Sequence, residues 1–173
     1  MPLTNSLSKT NRPRRQDPPE SRSTDSLSTV SVSLDSRSYD ILIQEGLLGQ
    51  VGICLRKAGL EGRVAIVTNP VVDRLYGPII RRALRQAGFR SLILTLPDGE
   101  RVKSLKWVAH VVEQLIVNRF ERHDVLMAVG GGVIGDLAGF AASIYLRGIP
   151  FVQVATTLVA QVDSSVGGKT GIH

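Results

Sequence analysis

The sequence predicts an α/β fold, a Rossmann-like, mostly parallel sheet flanked by helices. Three observations carry that expectation. Short apolar strands alternate with helical segments from residue 63 onward. Gly59, Gly88 and Ser104 supply stop and start signals between them. A triglycine run, Gly130-Gly131-Gly132, joins an apolar strand to a helix. The 173 residues match one domain. Hydrophobic residues at 43% against charged residues at 21% mark most of the chain as globular.

Residues 1–28 are rich in Ser, Arg and Pro and carry almost no apolar residue, so a disordered tail is expected there. The tail lacks an apolar h-region, and Asp17, Glu20 and Asp25 argue against a transit peptide. The α/β domain is expected over 29–173. Val30, Val32 and Leu34, then Tyr39, Ile41 and Ile43, alternate with other residues and predict two short strands. Leu47 to Ala58 reads as a helix closed by Gly59, and Arg63–Thr68 as a buried strand. The segment up to Ala87 is helical, with Pro78 expected to restart a second helix and Gly88 to stop it. Arg90–Leu96 is a strand. Ser104 is expected to cap a helix burying Leu105, Val108, Val111, Val112, Leu115 and Ile116 on one face. Asp124–Val129 forms the strand that enters the glycines, a helix follows to about Leu146, and Pro150–Val154 forms another strand.

Composition narrows the function. No apolar run reaches the ~20 residues a membrane helix needs. A lone Cys54 excludes an internal disulfide. The net charge of +6 is spread out, and aromatics at 5% leave little for base stacking. An anionic small molecule is the expected partner, with neither nucleic acid nor membrane. His110, His123 and His173 form no metal-ligand spacing.

Three stretches carry chemistry. Gly130, Gly132 and Gly135 satisfy G-x-G-x-x-G after a strand, where free N–H groups at a helix start favour phosphate oxygens. Asp136 is expected in the first helical turn. The alternative is a tight turn with close packing through the small residues Gly135, Gly139 and Ala142. Asp98-Gly99-Glu100-Arg101-Val102-Lys103 follows a strand end, so Glu100 could accept from ribose hydroxyls while Lys103 holds a phosphate or orients the carboxylate; a solvated turn is the alternative. Asp163 to Thr170 ends in Gly-Lys-Thr, but Asp163 stands where a P-loop needs glycine, and its charge would repel phosphates. That loop reads as an anionic-substrate site or as a flexible loop.

Taken together, Gly130–Ala142, Tyr145–Val154 and Thr156–Thr170, with Asp98-Gly99-Glu100, Lys103-Ser104 and Val67-Thr68-Asn69, closely resemble 3-dehydroquinate synthases, of the sugar-phosphate cyclase superfamily. The resemblance runs from about residue 30 to the end. It implies a cytoplasmic lyase of aromatic amino-acid biosynthesis that converts DAHP to 3-dehydroquinate and phosphate. The implied route is transient NAD-dependent oxidation, phosphate elimination, re-reduction and aldol closure. It implies NAD as cofactor and a divalent metal, zinc or cobalt, whose ligands lie outside this chain.

The resemblance also distributes roles. It implies that Asn69, Asp98, Gly99, Glu100 and Lys103 meet the adenosine end of NAD, and that Gly131, Gly132, Val133, Gly135 and Asp136 surround its pyrophosphate and nicotinamide, with Thr156 and Thr157 also lining it. Asp163 and Lys169 match substrate-site positions. Arg147 matches an arginine that reaches the substrate phosphate of a neighbouring subunit, which implies a homodimer. Ala155 and His173 depart from the family's usual Pro and Asn. The family's helical, metal-binding second half is not in the sequence, so a fragment truncated at its C-terminal end, inactive alone, is expected. A non-catalytic NAD-binding or dimerisation fragment, or a related sugar-phosphate cyclase, is the alternative.

Overall fold

The computed structural model describes residues 26–35 and 38–173. The expected disordered tail lies almost wholly outside them. Strands β1 (Ser28–Val32) and β2 (Tyr39–Ile43) form an antiparallel pair with Val30 opposite Ile41. A 3-10 turn at Leu47–Gln50 leads into α1 (Val51–Lys57). Then β3 (Val64–Thr68), α2 (Pro70–Gln86), β4 (Ser91–Thr95), α3 (Leu105–Val117), β5 (Val125–Gly130), α4 (Gly132–Ile144) and β6 (Phe151–Ala155) alternate. The four later strands form one parallel sheet in the order β4-β3-β5-β6.

The two-residue side-chain period divides β3 and β5 between two cores. Val64, Ile66, Val125, Met127 and Val129 pack with Leu55 of α1 and Ile80 and Leu84 of α2. Ala65, Val67, Leu126 and Ala128 pack with Val108, Val111 and Leu115 of α3 and Leu137 and Ala141 of α4. All residues of β3 and β5 are buried, as central strands covered on both faces must be. α1 crosses α2 closely because Gly52 lacks a side chain; a Cβ there would sit 2.5 Å from the Ala83 carbonyl oxygen.

Three local expectations are corrected. Pro78 does not restart a helix: α2 is continuous across it. Proline removes one bond to the carbonyl four residues back, but both Pro78 and Arg74 are exposed, and Ile80, Ala83 and Leu84 anchor the following turns in the core. Ser104 occupies the N-cap of α3, yet its side chain accepts no capping bond. The buried stripe of α3 is narrower than its pattern: Leu105 and Ile116 are 65% and 61% exposed, at the helix ends beyond the reach of the sheet.

Candidate functional site

In the parallel sheet, β3 leads through α2 to β4 on one side, and the chain then crosses through α3 to β5 on the other. The strand order therefore reverses between β3 and β5, the position at which open α/β sheets take ligands in the crevice outside the strands' carboxyl ends. The loops leaving β3, β4, β5 and β6 at this edge begin at Asn69, Leu96, Gly131 and Thr156. Four motifs far apart in sequence are thus brought to one rim.

Beyond β3 and β4, Asn69 Nδ2 donates to Asp98 Oδ1 at 3.1 Å. Asn69 is also the N-cap of α2, its Oδ1 accepting from the Val72 N–H at 2.8 Å, so this side chain is already committed to the helix. Gly99 adopts φ +100° and turns the loop into a short 3-10 segment at Glu100–Val102. Lys103 follows it and reaches the Asp136 carboxylate at 2.7 Å, with Glu100 at 3.7 Å. The hydrogen bond to Asp136, against a smaller cost of burial, holds the Lys103 ammonium above its ordinary pKa. His173 Nε2 lies 3.0 Å from Glu100 Oε1, and the His173 backbone N–H donates to the Lys103 carbonyl at 3.1 Å.

The glycine turn divides its labour. A Cβ on Gly130 would meet Ile134 Cβ at 2.8 Å, and one on Gly135 would meet Gln153 Nε2 at 2.0 Å. These two glycines serve packing, as does Gly139, whose Cβ would meet Thr170 Cγ2 at 2.3 Å. Gly135 is buried against β6 rather than open to the rim. Gly131 and Gly132 instead face the loop after β6, near Thr157 and Ser164. No side chain caps α4, so its first N–H groups are available to an acceptor from outside the helix. Val133 is half-buried beside them. Asp136 is not in the first turn, as expected from sequence, but one turn further in, with α4 starting at Gly132. There it answers Lys103 rather than the helix dipole.

Three buried hydroxyls, Thr68 Oγ1, Thr156 Oγ1 and Ser164 Oγ, have no hydrogen-bond partner among the described residues. Thr68 ends β3, Thr156 follows β6, and Ser164 approaches Gly132. A buried hydroxyl left unpaired is costly, and three at one sheet edge mark a site built for a polar guest. Thr156 also donates its N–H to the Gly130 carbonyl at 3.0 Å, and Thr157 Oγ1 accepts from Ala160 N–H at 3.2 Å. Thr68 and Ser164 lie within the Val67-Thr68-Asn69 and Asp163–Thr170 motifs but are not among the residues singled out from sequence. The signal for Thr68 was a hydroxyl ending an otherwise apolar strand.

The remaining candidates stand apart. Asp163 sits in a π-helical turn at Ala160–Ser164, and Asp163 and Lys169 are exposed with no ion-pair partner among the described residues. The Gly167 N–H of the same loop donates to the Tyr39 hydroxyl of β2 at 2.7 Å, a contact across 128 residues that no sequence signal announces. Leu146 and Arg147 both have positive φ, +50° and +64°. Two consecutive non-glycine residues in this region store strain of about 1–2 kcal/mol each. Arg147 is exposed in the connection from α4 to the start of β6, at the amino end of that strand. Among the described residues, no group of three His, Cys, Asp or Glu could hold a metal ion. No helix among them is long and apolar enough to cross a membrane.

Residues 93–173 match the family model for the 3-dehydroquinate synthase N-terminal region. A 3-dehydroquinate synthase of Citrifermentans bemidjiense is 49% identical over 144 residues, 83% of this chain and 40% of that protein. The chain therefore spans about 40% of the length of this curated relative. Among solved structures, a 2-deoxy-scyllo-inosose synthase complexed with carbaglucose-6-phosphate, NAD+ and Co2+ superposes with TM-score 0.76 at 26% identity, over 84% of this chain and 40% of that one. A 2-epi-5-epi-valiolone synthase from Streptomyces hygroscopicus, with NAD+ and Zn2+ bound, gives TM-score 0.71 at 31% identity, over 82% and 39%. In sequence the chain is similar to the N-terminal part of 3-dehydroquinate synthases, and in fold to the 2-deoxy-scyllo-inosose and 2-epi-5-epi-valiolone synthases.

Proposed function

We propose that this chain is the NAD-binding part of an enzyme that converts DAHP to 3-dehydroquinate and phosphate. The observation that carries the reading is the uncapped start of α4 at the sheet's switch point, with the unpartnered Ser164 hydroxyl beside Gly132 and two more buried hydroxyls, Thr68 and Thr156, at the carboxyl ends of β3 and β6. The bound NAD+ of two structural relatives supports it.

NAD+, when bound, supplies reversible hydride acceptance at a substrate hydroxyl. The chain's residues supply orientation. The N–H groups of Gly132 and Val133, beside the bare Gly131, hold the diphosphate. Asp98, Glu100 and Lys103, with Gly99 turning the loop, hold the adenosine ribose; Asn69 contributes by fixing Asp98. Asp136 anchors Lys103 and faces the nicotinamide side, while Thr156 and Thr157 close the crevice from β6. Gly135 acts indirectly, by letting Gln153 pack under the turn.

In the assembled enzyme, Asp163 and Lys169 orient the acid phosphate substrate. Arg147 reaches the substrate phosphate of a second copy, which makes the enzyme a homodimer with a cytoplasmic, small-molecule role in aromatic biosynthesis. A divalent metal, zinc or cobalt, belongs to the assembled site, with ligands beyond the residues described here. A second reading, a non-catalytic NAD-binding module, is favoured for the chain by itself by one observation. The cofactor candidates converge, whereas the Asp163, Lys169 and Arg147 side chains make no hydrogen bond or ion pair with them among the described residues. Titration calorimetry with NAD+ tests the binding, and phosphate release from DAHP with zinc present tests the chemistry. Saturable 1:1 binding supports both readings, turnover by the chain alone would exclude the second, and absent binding would exclude both.

A further inference from the structure

The opposite edge of the parallel sheet carries a second concave surface, far from the glycine turn. It is a cleft of about 540 Å³ lined by Arg56, Arg63, Arg90, Arg119, Glu121 and Asp124. Arg63 and Arg90 stand immediately before β3 and β4, Asp124 before β5, and Arg56 in the last turn of α1.

Two of these charges cancel. Arg63 Nη2 lies 2.8 Å from Asp124 Oδ2, its Nη1 donates to the Asn118 carbonyl at 2.8 Å, and its guanidinium covers the Phe120 ring at 4.5 Å. That arginine is structural. The other three are not neutralised. Arg56 is held by Nε donating to the Ala87 carbonyl at 3.1 Å and by stacking 4.1 Å over Phe89, which leaves its terminal nitrogens without a partner among the described residues. Arg90 and Arg119 make no hydrogen bond or ion pair through their side chains among the described residues. Capping accounts for the Nε of Arg56, which serves the C-cap of α2, but not for its terminal nitrogens or for the Arg90 and Arg119 guanidinium groups. One further carboxylate, Glu121, opposes the three, and His123 stands 3.7 Å from it.

Arg119 adds an independent observation. It follows the C-cap of α3 with φ +54°, where the chain after α1 and α2 uses Gly59 at +71° and Gly88 at +82°. Glycine takes this left-handed position freely and arginine does not. The strained backbone fixes an arginine beside the cleft instead of the residue the geometry prefers.

We propose that this cleft binds a small phosphorylated metabolite bearing at least two anionic groups. Guanidinium forks pair with phosphate oxygens two at a time, and the volume lies in the small-molecule range. This site is separate from the cofactor crevice and does not depend on it.

The test is a titration of the isotope-labelled chain with inorganic pyrophosphate at fixed ionic strength, followed by amide chemical shifts. Saturable shifts are expected at Arg119 and at Gly62 and Gly88, which line the cleft beside the arginines. Arg119→Gly places glycine in its ordinary backbone position, so the variant keeps the fold, and it should weaken pyrophosphate at least tenfold; Arg90→Gln should weaken it similarly. No saturable shift, or shifts confined to Gly131–Ile134, would overturn the proposal. So would wild-type affinity in both variants, or tighter binding of a hexaglutamate peptide than of pyrophosphate.

Discussion

Lys103 Nζ and the Asp136 carboxylate meet at 2.7 Å, tying the loop after β4 to the second turn of α4. The two residues are 33 positions apart in sequence, and both are mostly buried, with side chains 20% and 18% exposed. The contact fixes the glycine turn relative to the adenosine-side loop. Removing it should loosen both at once. Asp136→Ala is expected to weaken NAD+ about tenfold, the size of one charged hydrogen bond. Titration calorimetry measures it, and unchanged affinity would remove Asp136 from the site.

Gly131 tests how close the ligand comes. Its φ of −81° suits any residue, so alanine brings no backbone strain. A Cβ would rest 3.1 Å from Thr157 Cγ2, a tight contact that a small side-chain shift relieves. Gly131→Ala should therefore melt within a few degrees of the parent while losing NAD+ affinity at least tenfold. Calorimetric melting and ligand titration on the same sample separate the two effects. A variant that keeps its affinity would show that the diphosphate does not approach this backbone.

Stability should fall at both pH extremes for identifiable reasons. Burial opposes the Asp124 charge, but the N–H groups of Arg63 and Glu121 and the Arg63 guanidinium outweigh it and lower its pKa below 3.8. A depressed folded pKa means stability that is present above the unfolded value and is lost as pH falls through the folded one. Lys103, raised above 10.5 chiefly by its hydrogen bond to Asp136, contributes stability that is present below the unfolded value and lost as pH rises through the folded one. Asp124→Ala should cost about 2–3 kcal/mol at pH 7 and flatten the acid limb of a denaturation series. Lys103→Met should flatten the alkaline limb only.

Tyr39 holds the Gly167 loop from a strand outside the parallel sheet. Tyr39→Phe removes one hydrogen bond worth about 1 kcal/mol, so the Gly167 amide should exchange with solvent about fivefold faster. Exchange at the α4 amides should not change. Unchanged exchange at Gly167 would show that the hairpin does not hold the loop.

Much of this architecture was legible before any coordinates. The alternation of strand and helix, with Gly59 and Gly88 as stops, follows local rules of period and turn chemistry, whereas Asn69, Gly131 and Thr156 enter as site residues only through the resemblance to 3-dehydroquinate synthases. What escaped was set by three-dimensional packing. Pro78 reads as a helix start, but core contacts on either side carry α2 through it. Leu105 and Ile116 fit the apolar period yet overhang the sheet. The G-x-G-x-x-G spacing could not show that Gly130 and Gly135 make room for Ile134 and Gln153 while Gly131 and Gly132 face the crevice. Lys103 with Asp136, and Tyr39 with Gly167, join distant residues that no periodicity relates.

The most direct measurement is a crystal structure of the chain grown with NAD+. Diphosphate density against the N–H groups of Gly132 and Val133, with the ribose beside Asp98 and Glu100 and a hydrogen bond to at least one of Thr68, Thr156 or Ser164, is the predicted result. A helix start closed by neighbouring side chains, with the nucleotide bound elsewhere or not at all, would contradict the account.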